Sequence, residues 1–291
     1  GVQVADLVVG FLVLRGEDLA AVRETYDEAA LAVRGERFDV LAWDLYAEVT
    51  RFYDADEERL AHRNDTLHAM EQGGNPVAAL AAYVAERMVR HHLRTMDRIG
   101  VRYDLVPKES DILALKFWGD AFSRLKESAA IKRVESGKNA GCWVMDLPGV
   151  FPGAGEDQKV IVRSNGTVTY VGKDIAYQMW KFGLLGRDFL YTRFDWRPET
   201  SIYDLWATTS SDGAGDAPPF GRAETVYNVI DTRQSYLQRV VAAGLRSLGH
   251  DAEAERSIHF AYEMVALTPS AVLALIPDYP LSDEDRKKPY L

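Results

Sequence analysis

Residues 164–183 read SNGTVTYVGKDIAYQMWKFG, and this stretch decides how the chain is divided. Asn165-Gly166 is a turn dipeptide that follows a short, mostly apolar strand, KVIVRS, at 159–164. A run of good helix formers comes next, with Tyr170 and Asp174 four residues apart, on one face of the predicted helix. Downstream the pattern repeats. FLYTRFDW (189–196) and TVYNVID (225–231) read as strands, 234–248 as an amphipathic helix, and IHFAYEMVAL (258–267) as a further strand. Strands alternating with helices imply an α/β fold with βαβ units and a mostly parallel sheet, whose ligands gather at the carboxyl ends of the strands.

Upstream the grammar differs. Residues 17–99 carry helical periodicity, with helices expected over 40–53, 57–70 and 76–99. Asn75 is placed to cap the last of these, with Pro76 at its first position. A strand is expected over 101–106, ended by Pro107, and a helix over 111–126. A hairpin of 131–134 against 142–147 follows. The domain boundaries are thus 1–16, 17–158 (mainly helical, with a small β region) and 159–291.

The chain has 291 residues and a formal net charge of -10, so one large core or two smaller ones fit, and broad non-specific nucleic-acid binding does not. Arg87, Arg90, His91, His92, Arg94 and Arg98 form a local basic cluster, most simply a solvated helix face. Cys142 is the single cysteine; it permits no internal disulfide, fits a reducing compartment, and reads as a buried, inert thiol. No apolar run is long enough for a membrane span, and both chain ends read as cut. GAGEDQK (153–159) has the wrong spacing for a phosphate loop. The histidine pairs lack metal-ligand spacing, so no metal site is expected. Both Asn-x-Thr sequons are incidental in a reducing compartment.

For the Tyr170/Asp174 pair two readings stand. A carboxylate near a helix N-terminus can simply cap it. A carboxylate beside a phenol can also receive a cationic group through charge, hydrogen bonds and a π face.

Several blocks, in order, resemble the catalytic domain of arginyl-tRNA synthetases, which are class I aminoacyl-tRNA synthetases. They are GVQVADLVVGF (1–11), MDRIGVRYDLVPKES (96–110), GCWVMDL (141–147), VRSNGTVTYVGKDIAY (162–177), VYNVIDTRQSYLQRVVAAGLRSLG (226–249) and IHFAYEMV (258–265). The resemblance implies a Rossmann-like catalytic core: 1–16 as its start, 17–158 as a largely helical insertion, and 159–291 as its second half. It implies that Asp174 holds the guanidinium of substrate arginine, with Tyr170 shaping the same pocket and Gln234 beside it. His259, Phe260 and Met264 fall where the family lines the adenine site, and Gln3 near the active-site rim.

In the family, the arginine carboxylate attacks the ATP α-phosphate, and the arginyl group then passes to the terminal ribose of tRNA-Arg. The implied substrates are arginine, ATP with Mg2+, and tRNA-Arg, with no tightly bound cofactor, in a cytoplasmic protein for which a monomer is favoured. The family's His-x-Gly-His motif and KMSK-like loop are both absent from this sequence, so no catalytic residue is assigned and the chain alone is expected to be inactive. The alternatives are a non-catalytic synthetase-like paralogue acting as a binding or regulatory module, and an unrelated α/β nucleotide-binding protein.

Overall fold

A computed structural model describes residues 1–147, 158–196, 204–263 and 266–290. The chain forms two compact units: Gly1–Val106 with Arg193–Trp206, and Pro107–Thr192 with Ala207–Leu291.

The first unit is helical: α1 (Val2–Val9, running on as a π-helical turn, Gly10–Arg15), α2 (Leu19–Thr25), α3 (Glu28–Arg34), α4 (Phe38–Asp54), α5 (Leu60–Gln72) and α6 (Pro76–Arg98). The expected cap of α6 forms: Asn75 Oδ1 accepts from the Ala78 amide at 2.9 Å, with Pro76 behind it. Leu7, Val8 and Phe11 are buried with Phe38, Leu45, Leu80 and Val84. Close packing is permitted at Gly10, where a Cβ would stand 2.6 Å from Leu45 Cγ. Asp6, only 1% exposed on α1, is held by Arg63 through bonds of 2.7 and 2.9 Å and by the Tyr53 hydroxyl at 3.1 Å. This ties α1, α4 and α5 around one fully compensated buried charge.

The basic cluster on α6 is not a solvated face throughout. Arg87 and His91 are each 6% exposed. The Arg87 guanidinium lies 3.9 Å from the Phe38 ring centroid, and its Nη1 donates to the Tyr26 carbonyl. The His91 ring stacks on Phe38, with Nδ1 3.4 Å from Asp39. Burial pulls His91 below the ordinary histidine range, so it is neutral at pH 7. Aromatic faces and acids on α3 and α4 replace the water that a lone amphipathic helix would need.

The first unit closes with a short β1 (Leu105–Val106), which stands where a longer strand was expected, and most of the remaining strands and helices belong to the second. The helix expected over 111–126 is two, α7 (Glu109–Ala114) and α8 (Phe117–Glu127), broken at Lys116, which adopts φ 60. The break lets Phe117, Trp118, Ala121 and Leu125 all be buried. The hairpin forms between β2 (Ile131–Arg133) and β3 (Trp143–Asp146), antiparallel, with Lys132 opposite Val144. Cys142 precedes β3 and is half-exposed rather than buried. β4 (Gln158–Val162) adds antiparallel to β3.

After β4, a turn at Asn165-Gly166 reverses the chain. The Asn165 side chain accepts from the Thr167 amide at 3.0 Å, and Gly166 takes φ 86. α9 (Tyr170–Lys181) then begins. Next come β5 (Leu190–Arg193), β6 (Trp206–Thr209), β7 (Val226–Asp231), α10 (Ser235–Ser247), α11 (Asp251–Glu255), β8 (Ser257–Tyr262) and α12 (Pro269–Leu275). β7 and β8 pair in parallel across the α10–α11 crossover, with Asn228 opposite His259 and Val229 opposite Phe260. The architecture is mixed α/β. Among the described residues, no helix is long and apolar enough to cross a membrane.

Candidate functional site

α9 carries the site. Its N-terminus is set by the strand it leaves: the Thr169 amide donates to the Ile161 carbonyl at 3.0 Å, and its hydroxyl donates to the Ile161 and Val160 carbonyls. Its inner face, including Val171, Ile175, Ala176 and Met179, is fully buried. Two close approaches fix the helix. At Gly172 a Cβ would lie 2.9 Å from Trp118 on α8. At Gly244 on α10 a Cβ would lie 2.9 Å from Ile175.

Asp174 is at the fifth residue of α9, beyond the first turn, and α9 has no side-chain cap. The capping reading therefore fails: N-cap and first-turn amides are out of its reach. Its carboxylate is half-buried and accepts no hydrogen bond from any described residue. Burial pushes its pKa up to about 6, and the negative charge of Glu109 adds to this, while Lys181 and Lys173 act the other way. Tyr170 is one turn earlier at the helix start and 58% exposed. The Lys173 ammonium stands 5.8 Å from the Tyr170 ring centroid and pairs with Glu109 at 3.1 Å. Tyr170 and Asp174 thus share a face without bonding to each other.

The other expected site residues fall as follows. Gln234 is exposed in a one-turn 3-10 segment, Thr232–Gln234, between the carboxyl end of β7 and α10, the place expected for a ligand in a parallel pair. His259 lies on β8, with Nε2 2.9 Å from the Ile230 carbonyl of β7. Phe260, next along β8, is 61% exposed. Met264 lies outside the described residues. Gln3 is exposed on α1, in the first unit.

Three residues escaped the sequence reading. Tyr177 and Lys181 continue the Tyr170/Asp174 face of α9 at helical spacing, and that spacing was a signal open to use. Tyr177 stacks on Trp180 at 5.2 Å between centroids, and burial pushes its phenol up to about 12. Lys181 donates to Asn228 Oδ1 on β7 at 2.9 Å, a pairing that no local pattern announces. Gln178 similarly donates to Ser257 on β8 at 2.8 Å, so α9 is fastened to both strands of the parallel pair. Among the described residues, no group of three or more His, Cys, Asp or Glu side chains could hold a metal ion.

A half-buried carboxylate beside a phenol, with no partner among the described residues, can receive a planar cation through two parallel hydrogen bonds. The arginine–tRNA ligase of Thermococcus kodakarensis is 35% identical over 265 residues, 91% of this chain and 40% of that protein. The arginine–tRNA ligase of Thermus thermophilus is 38% identical over 234 residues, 80% of this chain and 37% of that protein. Among solved structures, the Thermus thermophilus arginyl-tRNA synthetase superposes with a TM-score of 0.64 at 29% identity, covering 98% of this chain and 52% of that one. No protein-family model matches the chain. The chain spans about 40% of the length of the first of these curated relatives.

Proposed function

This chain is a homologue of arginyl-tRNA synthetases over 91% of its own length, and we propose that its second unit carries the arginine-reading part of such an enzyme's catalytic domain. The observation that carries this reading is Asp174: a half-buried carboxylate that accepts no hydrogen bond from any described residue, at a stability cost, on a helix that cannot back away from it. Asp174 accepts the two parallel N–H bonds of the substrate guanidinium. Tyr170 closes the same pocket with its ring, and Gln234 contributes an amide from the β7–α10 turn. Lysine presents a point charge and citrulline lacks the positive charge, so neither reproduces the fork. His259, Phe260 and Met264 line the adenine side, and Gln3 belongs to the rim.

In the same proposal, residues 159–291 are the second half of the catalytic core, 1–16 its start and 17–158 the insertion. ATP enters with its Mg2+ as second substrate and tRNA-Arg as third, in a cytoplasmic, monomeric enzyme with no tightly bound cofactor. The chain's own residues orient the amino acid; this is catalysis by positioning and electrostatics. The sequence has neither a His-x-Gly-His motif nor a KMSK-like loop to stabilise charge on the phosphates, so this chain alone does not form the adenylate.

Calorimetric titration of the chain with arginine, lysine and citrulline tests the reading. Arginine is expected to bind alone among the three, and Asp174→Asn to abolish that binding. Equal binding of lysine, or undiminished arginine binding by the variant, refutes the assignment.

A further inference from the structure

Lys181 is mostly buried, yet among the described residues no carboxylate lies within ion-pair distance of it. Its ammonium is held by Asn228 Oδ1 at 2.9 Å and sits 4.7 Å from the Tyr177 ring centroid. Burial pulls its pKa down, and the opposing influence is Asp174, seven residues earlier and two turns back on the same side of α9. Asn228 is 6% exposed, and its carboxamide nitrogen has no hydrogen-bond partner among the described residues. The amide oxygen accepts from the ammonium, which fixes which way the amide faces. A Leu or Met pair would pack the same α9–β7 junction with neither penalty.

The charges around Asp174 sharpen this. Glu109 from α7 and Lys173 and Lys181 from α9 act on it. Lys173 and Glu109 are paired at 3.1 Å, but Glu109 acts on Asp174 more strongly than Lys173 does, so the pair leaves a net negative influence that the Lys181 charge opposes. Of the two lysines, Lys181 is the stronger influence holding the Asp174 pKa down.

We propose that Lys181 and Asn228 are positioning residues for the arginine pocket: Asn228 fixes the Lys181 ammonium along the Asp174 side of α9, and that ammonium keeps the Asp174 carboxylate charged for an arriving guanidinium. Asn228 faces His259 across the parallel pair, so the same contact joins the arginine-side helix to the strand carrying the residue assigned to the adenine side. The inference deepens the arginine-pocket reading and rests on it for its purpose, but its test needs no arginine.

The test is a carbon-13 carboxyl titration of the aspartate-labelled chain, with Asp174 assigned by its loss in Asp174→Asn. The parent midpoint is expected at about 6. Lys181→Met should raise it by about 1 pH unit, while Lys181→Arg, which keeps the charge, should hold it near the parent value. Asn228→Leu leaves Lys181 present but unanchored and should also raise it, and it carries the test if Lys181→Met does not fold. Circular dichroism confirms folding of each variant. A midpoint that stays put in the folded Lys181→Met chain, or in Asn228→Leu if that is the one that folds, overturns the inference. A raised midpoint in a chain that fails to bind arginine upholds the electrostatic coupling and refutes the arginine reading instead, so the two failures are told apart.

Discussion

Replacing Asp174 by Asn should make the chain more stable and unable to bind arginine, and both halves follow from one carboxylate. In the folded chain its pKa stands at about 6, against about 3.9 for an unfolded aspartate. A group whose folded pKa is raised favours folding only while it is protonated. That contribution is fully present below about pH 4 and is lost as pH rises through 6. The difference of about 2 units corresponds to about 3 kcal/mol of stability lost at pH 8. Partial exposure of the carboxylate and solvent screening reduce this to about 1–2 kcal/mol. Asparagine has the shape of the protonated acid and no charge to desolvate. The variant should therefore exceed the parent by about 1–2 kcal/mol at pH 8, with the gain vanishing towards pH 4.

Urea unfolding of both proteins at several pH values, read by tryptophan fluorescence, measures this. Arginine titration measures the other half: loss of two charge-assisted hydrogen bonds should weaken binding by about 100-fold or more. A variant that is no more stable than the parent at pH 8 refutes the claim that Asp174 is kept ionised at a cost. A stabilised variant that still binds arginine refutes the claim that the cost serves the guanidinium.

Arginine affinity should also fall about tenfold between pH 7 and pH 5, because only about a tenth of Asp174 is ionised at the lower value; a dissociation constant flat over that range, in calorimetry, rules Asp174 out as the contact. In the first unit, Arg63→Met should cost about 3–5 kcal/mol in urea unfolding, since Asp6 would keep its charge with only the Tyr53 hydroxyl beside it. Adding Asp6→Asn should recover much of the loss, and a cost for Arg63→Met below about 1 kcal/mol would mean that water reaches Asp6. Gly172→Ala should cost about 1–3 kcal/mol and alter the near-ultraviolet signal of Trp118, because the added Cβ meets that ring; a neutral substitution would show slack between α8 and α9.

The sequence spoke clearly where the determinants are local. Asn75-Pro76 opened α6 as read, the Asn165-Gly166 turn formed, and the β-prone run 225–231 became β7. It spoke poorly where distant partners decide. Arg87 and His91 look solvated on a helical wheel, but Phe38, Glu28 and Asp39 come from segments about fifty residues or more away and bury them. The break at Lys116 lies inside an unbroken helical pattern and is settled by burial of Phe117 and Trp118 together. At the site, Tyr170 and Asp174 were legible because they share one helix. The Lys181–Asn228 bond spans 47 residues and depends on how α9 lies across β7, which periodicity does not encode.

The tight seating of α9 also bears on how such a pocket can change its preference. Trp118 fills the space at Gly172 and Ile175 fills the space at Gly244, so the helix has no room to yield on either side. A scaffold of that kind cannot drift towards a bulkier or neutral amino acid by small shifts of backbone. Preference can move only in discrete exchanges of side chain, and each exchange at Asp174 also changes the charge that Lys181 must balance. Anyone redesigning the pocket for a guanidinium analogue should therefore treat positions 174, 181 and 228 as one unit and vary them together.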